Sequence, residues 1–549
     1  MSICLFRVYI CALISFRSPQ VAKFASVGNE HTTRVLSATP RYSRYSVCVI
    51  SFLRHFLCIC AASWIAFLAT YRTECRAATV GGIISSDTHW SAANSPYIAT
   101  SSVLVDGGAK LTIEPGVEVR FAKAAGLVVM NGTLAARGTV ASPIKFTADQ
   151  AGLGNGWSGV RFGDLATNAV FEGENFVSGS ILEETIVEGV AQHPNGAVRI
   201  ELSSPFIHSN EIRSNLSNGI SVLNASSLQI VGNRIHQNGG LTVSGGGILL
   251  DASPGVRISN NHIYNNKAFN GGGVKILNSD NATVTDNLFE SNFSRYQCAG
   301  FLAAISNGTK FLRNVLTGNT VETVGDLGGA VAFITTSNSY LQENTVQSTN
   351  AFAGVFFETV AGLTMIGDSV VNNLGHGLYF SRNVSNAVIS SAALPTTIAG
   401  NTGYEIYNNQ VFELSPDPLS RGNIDARNVW WKSTSMAEVQ AGVFDFFDDS
   451  FKGIVFVDPQ KDLADFDGDF DVDDQDLTNP TAGWIARFGV NLDGADFLRW
   501  QRDYGFGVSA INAGVPIPEP PGTLLFAAGL AVSIAGGGRD SRVVFRCDA

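Results

Sequence analysis

The sequence predicts an all-β protein whose central part is a solenoid of stacked coils, and two recurring marks carry this prediction. A glycine followed by a short apolar strand recurs every 23 to 29 residues, and an asparagine, once replaced by aspartate, recurs between the glycines at intervals that change in step. Two independent marks that drift together indicate coils with insertions in the same repeats. The glycines are Gly196, Gly219, Gly247, Gly273, Gly300, Gly329, Gly354 and Gly377. The second series is Asn210, Asn233, Asn261, Asn287, Asn314, Asn344 and Asp368.

Each repeat is typical of one coil: strand, turn, strand, asparagine turn, short strand and variable loop. Asparagine suits the turn because it tolerates the left-handed region and can hydrogen-bond nearby backbone. Coils stacked at about 4.8 Å place each amide above the previous one, so that side chains can bond along the stack. Inward Ile, Val, Leu and Phe then form a continuous core that a single repeat cannot form. Helical patterns of about 10–15 residues between strands, which a Rossmann or barrel enzyme requires, are missing from these repeats.

This pattern resembles the right-handed parallel β-helix repeat family, and both flanks strengthen the resemblance. Residues 111–121 and 132–139 are similar to the first coils of such proteins, and residues 423–431 and 454–459 to their last segment. The resemblance covers about residues 90–460, and we place the domain at 79–460. Where the family usually has glycine after the tryptophan pair, this chain has Lys432. Trp430 and Trp431 are expected to pack on the last coil.

Composition agrees with an exported β-rich protein. Only 15% of the residues are charged, 45% are hydrophobic, and 57 of the 549 are glycine. The formal net charge of -11 argues against a nucleic-acid partner, because phosphate binding needs a basic face. Six of the eight cysteines precede residue 76, so a protein processed at both ends would retain Cys298 alone, which excludes a disulfide scaffold.

The first 78 residues are typical of a secretory signal peptide that starts late. Basic residues Arg41, Arg44 and Arg54 precede an apolar run at 56–69, and small residues follow at 77–78. This is the order of a basic, an apolar and a cleavage region. We interpret residues 1 to about 40 as an over-called start. A membrane anchor at the N-terminus is the alternative.

The C-terminal segment 511–549 predicts a sorting tail. Pro518, Glu519 and Pro520 precede an apolar helix at 524–535 and three arginines. The three parts resemble the PEP-CTERM tail of exported bacterial surface proteins. The resemblance implies export and sorting machinery as partners, transient membrane contact through both termini, and a final location at the cell surface or outside the cell. An ordinary C-terminal anchor is the alternative.

Between the solenoid and the tail, segment 461–510 carries an acidic loop that predicts one calcium site. Its acids occupy positions 1, 3, 5, 7, 9 and 12 of an EF-hand-like loop, a spacing that supplies hard oxygen ligands. They are Asp465, Asp467, Asp469, Asp471, Asp473 and Asp476. The loop resembles the dockerin variant, which implies a small helical segment and a cohesin-like partner, or else a spacer. Phe470 replaces the usual glycine, and a second half-motif at 492–502 lacks acids at its first positions. The alternative is a solvated acidic linker.

No catalytic set stands out in the repeats. The charged candidates are scattered over many coils, and we interpret them as surface charges: Arg199, Glu201, Asp251, Lys275, Glu290, Arg295, Glu358 and His376. The histidines at 208, 236, 262 and 376 share no repeat position and predict no metal pair. Phe356, Tyr379 and Tyr264 are expected to point outward, where aromatic rings can stack on sugars.

We therefore expect a structural or carbohydrate-binding role, with an extracellular polysaccharide as a possible partner. A polysaccharide lyase or glycoside hydrolase is the alternative, and the sequence leaves enzymatic activity open. Acids of neighbouring coils that converge in one groove would favour the enzyme.

Overall fold

The computed structural model shows a parallel β-solenoid of about 12 turns. Each coil contributes a strand to each of three parallel sheets, which we call sheets 1, 2 and 3 in the order in which the chain visits them. The structure describes residues 77–150, 156–191, 196–322, 328–411, 422–458, 464–467 and 472–504. This architecture confirms the solenoid that the repeats predict.

The strands are short and in register from coil to coil, as Ile220, Ile248 and Val274 illustrate. Sheet 1 contains Val160–Ala166, Val198–Glu201, Ile220–Leu223, Ile248–Asp251, Val274–Leu277, Phe301–Ala304, Gly329–Ser337, Ala353–Ala361, His376–Phe380, Ile406–Asn408 and Val443–Phe444. Sheet 2 contains Thr88–Trp90, Ala109–Ile113, Ile181–Glu183, Phe206–His208, Gln229–Val231, Arg257–Ser259, Thr283–Thr285, Lys310–Leu312, Tyr340–Gln342, Thr364–Ile366, Ile424–Asp425 and Val455–Phe456. Sheet 3 contains Glu118–Phe121, Ile144–Ala148, Thr185–Glu188, Glu211–Arg213, Arg234–His236, His262–Tyr264, Leu288–Glu290, Val315–Thr317, Thr345–Gln347, Ser369–Val371 and Thr397–Ala399. Three longer strands, Ala78–Ile84, Tyr97–Val105 and Leu127–Arg137, bend from one sheet into the next.

The core fills the inside of the coils because alternate residues of each strand point inward. Within Ile220–Leu223, for example, Ile220 and Val222 are buried while the two residues between and after them are partly exposed. Toward the C-terminal coils phenylalanines stack inside, with ring centroids of Phe301 and Phe311 4.4 Å apart. Full burial of one such side chain stabilises the fold by about 1.5–3 kcal/mol, and each is shared with the coils on both sides.

The predicted asparagine series forms a continuous hydrogen-bonded ladder at the turn between sheets 2 and 3. From Asn210 to Asn344, each amide Nδ2 donates to the Oδ1 of the next member at 2.7–3.0 Å, and Asp368 ends the ladder. The expectation that the asparagine itself adopts the left-handed conformation is wrong. The left-handed residue of each turn is the one before the ladder residue, for example Asn260 at φ 56°. The asparagine is needed for its amide: that of Asn261 accepts the backbone N–H of Asn233 and donates to the backbone oxygen of Ile230, both in the preceding coil.

A second ladder, which the sequence analysis missed, lies five residues after the first, where the chain leaves sheet 3. Its amides are 2.8–3.1 Å from one another over the first five members. They are Asn215, Asn238, Asn266, Asn292 and Asn319. After Thr349 the ladder resumes at Asn373 and Asn401 and ends on the carboxylate of Glu405, 2.6 Å from the Asn401 amide. The repeated Asn-x4-Asn spacing was the signal for it.

A few elements lie outside the regular coils. A hairpin of Val170–Glu172 and Asn175–Ser178 packs beside sheet 2, and the loops after sheet 3 form a small parallel sheet. Its strands are Lys267–Asn270, Phe293–Gln297 and Thr320–Val321. A single 3-10 turn spans Ala92–Asn94. Among the described residues, α1 (Met436–Ala441) precedes the last strand of sheet 1, and α2 (Asp474–Thr478), α3 (Trp484–Arg487) and α4 (Gly494–Asp503) follow the solenoid.

The tryptophan pair joins the solenoid to the helical segment, which comprises the described residues 464–467 and 472–504. Trp431 belongs to the core of the coils, whereas Trp430 is buried with Leu477, Trp484 and Trp500 of the helical segment. The prediction places both residues on the last coil. Trp431 packs in the coils, whereas Trp430 packs against the helical segment, because neighbouring residues of a strand point to opposite sides.

In the described part of the chain, no helix combines the length and the apolar character that crossing a membrane requires. The two predicted apolar segments, 56–69 and 524–535, lie outside the described residues.

Candidate functional site

Three of the six predicted calcium ligands converge in the helical segment. One carboxylate oxygen from each of Asp465, Asp467 and Asp476 lies within 4.8 Å of the other two. Asp476 is fully buried at the start of α2 and accepts hydrogen bonds from the backbone N–H groups of Asp473 at 2.9 Å and Asp467 at 3.2 Å. The backbone N–H of Phe466 also donates to it. These bonds orient the Asp476 carboxylate toward the other two acids.

The electrostatics of this cluster fit a hard divalent cation. Burial raises the pKa of Asp476 to about 7, and the nearby charge of Asp465 adds to the rise. One oxygen of Asp467, Oδ1, is buried without a hydrogen-bond partner. Three carboxylates this close repel one another unless a cation or a proton neutralises them, and oxygen ligands of this kind are those that calcium prefers.

The remaining predicted ligands have other positions. The side chain of Asp473 caps α2 by accepting the N–H of Gln475 at 2.6 Å. Asp469 and Asp471 lie outside the described residues, as do Pro518, Glu519 and Pro520 of the predicted sorting tail. In the second half-motif, Asp493 caps α4 in the same way as Asp473 caps α2. Calcium at the first loop stays a prediction, supported by three of its acids.

The predicted outward aromatic residues lie on sheet 1, but two of them are covered. Phe356 and Tyr379 stack with ring centroids 5.6 Å apart and are only 1% and 4% exposed. They form a small second core with Cys298 and Leu302 on the outside of the coils. The expectation that these two rings form an open platform for sugars is therefore wrong, because both are buried in this second core, where Phe352 packs against Tyr379 with ring centroids 4.8 Å apart.

The same row of rings continues into residues that the sequence analysis missed. Tyr407 stacks on Tyr379 at 5.2 Å, and Phe444 stacks on Tyr407 at 4.3 Å. Both are only partly buried. The glycine series ends at Gly377 because Glu405 replaces the glycine in the next coil, although the strand register continues. The outward position of both rings in that register was the sequence signal that could have predicted them.

The loop after Phe444 adds more exposed rings. Phe446, Phe447 and Phe451 are 36%, 70% and 74% exposed. We call Tyr407, Phe444, Phe446 and Phe447 the terminal aromatic surface. Rings stacked along the solenoid axis present mainly their edges to solvent. Only the end of the row and the loop rings can therefore offer a ring face to a ligand.

A network of charged side chains lies on the outer face of sheet 3. Glu188 pairs with Lys145 at 2.9 Å and with Arg213 at 3.0 Å. Arg213 also pairs with Glu211 at 2.8 Å, and His236 contacts Glu211 at 3.1 Å. Burial favours the protonated form of both glutamates, yet the hydrogen bonds from Lys145, Arg213 and His236 outweigh it and lower the pKa of each. The two carboxylates thus stay ionised and neutralised.

Tyr264 lies beside this network and does not form an open platform either. Its ring is stacked between those of His236 at 4.4 Å and His262 at 4.2 Å, while His262 contacts Glu290 at 2.9 Å. A ring with a neighbour on each face offers no face to a sugar.

The other charged candidates are spread over the coils, as the sequence analysis predicts. Glu201 pairs with Arg161 and Arg199, and Glu358 pairs with Arg382. Arg295 lies 3.7 Å from Glu322. His208 contacts Glu183 at 3.0 Å, and His376 accepts the N–H of Tyr404 at 3.0 Å. Lys275 lies beside Asp251, and burial lowers its pKa. These contacts are those of paired surface charges.

Comparison with known proteins gives the fold and little more. Residues 173–346 match the family model described as the right handed beta helix region. A stretch of 64 residues is 48% identical to part of Protein bark beetle of Drosophila melanogaster, and it covers 12% of this chain and 2% of that protein. The chain thus spans only a small fraction of that relative.

Among solved structures, a variant of the periplasmic alginate epimerase AlgG is 12% identical, with a TM-score of 0.31 over 57% of this chain and 73% of that one. The catalytic domain of a GH87 alpha-1,3-glucanase is 13% identical, with a TM-score of 0.32 over 64% of each chain. The Dettilon tailspike protein is 12% identical, with a TM-score of 0.23 over 61% of this chain and 63% of that one. At these values, neither substrate nor activity follows for this chain.

Proposed function

We propose that this chain is an exported β-helix protein of the cell surface or the extracellular space that binds carbohydrate through its terminal aromatic surface. The observation that carries the proposal is the row of outward rings that emerges from cover at Tyr407 and Phe444 and continues into the exposed loop rings. An aromatic face offers large apolar area with little loss of side-chain entropy, which suits the C–H faces of sugar rings.

The binding role fits the outer faces better than the enzymatic alternative does. Hydrolysis of a glycosidic bond needs one carboxylic acid whose pKa is raised and a second, ionised carboxylate at a set distance. Two acids of neighbouring coils that share Arg213, Glu188 and Glu211, both have lowered pKa values because hydrogen bonds from Lys145, Arg213 and His236 favour the ionised form. Neither is suited to donate a proton to a leaving group.

The helical segment has a separate place in this proposal. Asp465, Asp467 and Asp476 would hold calcium, whose charge offsets their mutual repulsion and fixes the loop before α2. The segment would then serve as a spacer or as a docking site for a cohesin-like protein. Export by a signal peptide within residues 1–78 and surface retention by the tail at 511–549 rest on the sequence patterns described above.

Affinity electrophoresis of the full chain in gels that contain neutral or uronate polysaccharides tests the binding role. We expect at least one polysaccharide to retard the wild-type protein, and Phe447→Ala to reduce the retardation several-fold because it removes an exposed ring. Phe269→Ala is the matched control, since Phe269 is 41% exposed on a loop of other coils. Equal retardation of wild type and Phe447→Ala would overturn the assignment of the surface. Release of reducing sugar or unsaturated product by the wild type would establish the enzymatic alternative.

A further inference from the structure

A cavity of about 550 Å³ lies at the C-terminal end of the solenoid, next to the terminal aromatic surface. Its wall combines Trp431 and Val439 with five polar side chains: Asn372, Glu405, Lys432, Ser433 and Glu438. Volumes of this size, with an apolar wall and a few polar groups, are usual for small-molecule sites. Glu405 immediately follows Tyr404, whose ring is 5.5 Å from that of Phe444. Two lining residues, Glu405 and Gly442, directly precede the strands that carry Tyr407 and Phe444, so the cavity lies at the start of those strands.

Glu405 stands in one of the last coils, at a position that glycine holds in the coil before it. Its register partner in the previous coil is Gly377, where an added Cβ would lie 2.5 Å from the backbone oxygen of Glu405 and 2.7 Å from the Asn401 amide. Interior coils therefore leave no room for a side chain at this point. At Glu405 the side chain ends the second ladder by accepting the Asn401 amide at 2.6 Å, and burial raises its pKa.

The opposite wall holds groups of both charges. Ser433 donates a hydrogen bond to the carboxylate of Glu438 at the start of α1. Lys432 lies beside them with φ 58°, in the left-handed region that glycine adopts freely and other residues adopt at a cost. Left-handed residues are frequent in the turns of this solenoid, and apart from glycine more than half of them are Asn, Ser or Asp. Lys432 thus adds to the cavity wall a basic residue that the turn itself does not require.

We infer that this cavity binds the terminal sugar of a saccharide chain whose preceding sugars contact the terminal aromatic surface. The inference rests on the proposed carbohydrate-binding function and adds the site that receives the chain end. A terminal sugar carries hydroxyls that both donate and accept, which matches a wall of carboxyl, hydroxyl and ammonium groups. The apolar wall of Trp431 and Val439 faces its C–H groups.

Two substitutions test the cavity without changing the aromatic surface. Lys432→Gly removes the ammonium group and relieves the left-handed backbone, so the thermal midpoint should stay equal or rise. Glu405→Gln keeps an acceptor for Asn401 but removes the acid. Isothermal titration of the full chain with cellohexaose, laminarihexaose and maltohexaose should show affinity for the bound hexasaccharide reduced about 3- to 10-fold in each variant, as expected for one lost hydrogen bond. Lys310→Ala, an exposed lysine of sheet 2, is the matched control and should bind as the wild type does.

The outcomes separate this inference from the function on which it rests. Wild-type affinity in both Lys432→Gly and Glu405→Gln, with loss in Phe447→Ala, would overturn the cavity and leave the aromatic surface in place. Loss in both cavity variants at an unchanged thermal midpoint supports the inference. If the wild type binds none of the hexasaccharides and none of the polysaccharides in the gel experiment, the proposed function itself fails, and the inference fails with it.

Discussion

The solenoid and the helical segment that follows it are stabilised by opposite means. In the solenoid, each ladder amide and each inward side chain contacts the coil before and the coil after, so stability is shared along many equivalent contacts. The helical segment has one small core with a few tryptophans, of which Trp430 belongs to the solenoid, and its three clustered acids would stabilise it only with a bound cation. A local change should therefore weaken the solenoid gradually, whereas a comparable change should detach the helical segment as a unit.

Substitution of either tryptophan of the pair should have the largest effect on stability and should show whether the two regions unfold separately. Trp430→Ala removes a ring from the core of the helical segment, and Trp431→Ala removes one from the core of the coils. Each change should cost about 3–5 kcal/mol. Trp430→Ala should make residues 464–504 sensitive to limited proteolysis while the coils stay resistant, and Trp431→Ala should lower the thermal midpoint of the coils. Proteolysis of the coils in both variants, to the same extent, would contradict the separation.

Removal of calcium should affect the helical segment alone. A cation at 100-fold above its Kd stabilises the folded form by about 2.7 kcal/mol. Chelation should therefore open residues 464–504 to hydrogen exchange and leave the ladder amides protected. Asp467→Asn should weaken calcium binding in calorimetry, whereas Asp493→Asn, in the second half-motif, should not. No difference in exchange between chelated and calcium-loaded protein would remove the calcium site.

Substitution of one interior ladder residue should lower the stability less than substitution of a tryptophan, because the neighbouring coils contribute equivalent hydrogen bonds. Asn287→Ala leaves the N–H and the amide of Asn261 without their acceptor. An unsatisfied buried group costs about 1–3 kcal/mol, so we expect a clear fall of the thermal midpoint with the helical segment still docked. Asn307→Ala, an exposed turn asparagine, is the control and should change the midpoint little. A midpoint equal to wild type in Asn287→Ala would mean that the ladder contributes no net stability.

The smallest expected effect concerns the end of the first ladder and depends on pH. Burial raises the pKa of Asp368 from 3.8 to about 7, and its Oδ2 has no partner where the other ladder residues have a donating amide. Because the pKa of Asp368 is higher in the folded than in the unfolded protein, the contribution of this group to stability is fully present below pH 3.8 and is lost as pH rises through about 7. Asp368→Asn should therefore raise stability at pH 9 by about 2 kcal/mol and flatten the pH profile.

Denaturation at pH 5, 7 and 9 measures this effect. Asp286→Asn is the control. The hydrogen bonds from Arg313 and Thr285 overcome the effect of burial and lower the pKa of Asp286, so its loss should destabilise the protein at pH 9. A gain at pH 9 in both variants would show general charge repulsion instead of a ladder effect.

Much of the solenoid could be predicted because its signals repeat. The series from Asn210 to Asp368 appears in the structure as one ladder, and the glycine series marks the start of sheet 1 strands. The second ladder, which begins at Asn215, has an equally visible Asn-x4-Asn spacing in the sequence, although it was not predicted. The aromatic surface was only partly predicted, since Tyr407 and Phe444 follow the point at which the glycine mark ends.

The solenoid, its inward and outward residues, and the spacing of the acids at 465–476 follow from the sequence alone, because each depends on a local period that neighbouring residues set. Which outward groups are covered depends on contacts between distant residues. Phe356 and Tyr379 are buried in a second core with Leu302 and Cys298, while the Trp430 side chain packs in the helical segment. The cavity at Glu405 likewise depends on the last coils, where a side chain stands at the position that the preceding coil fills with Gly377.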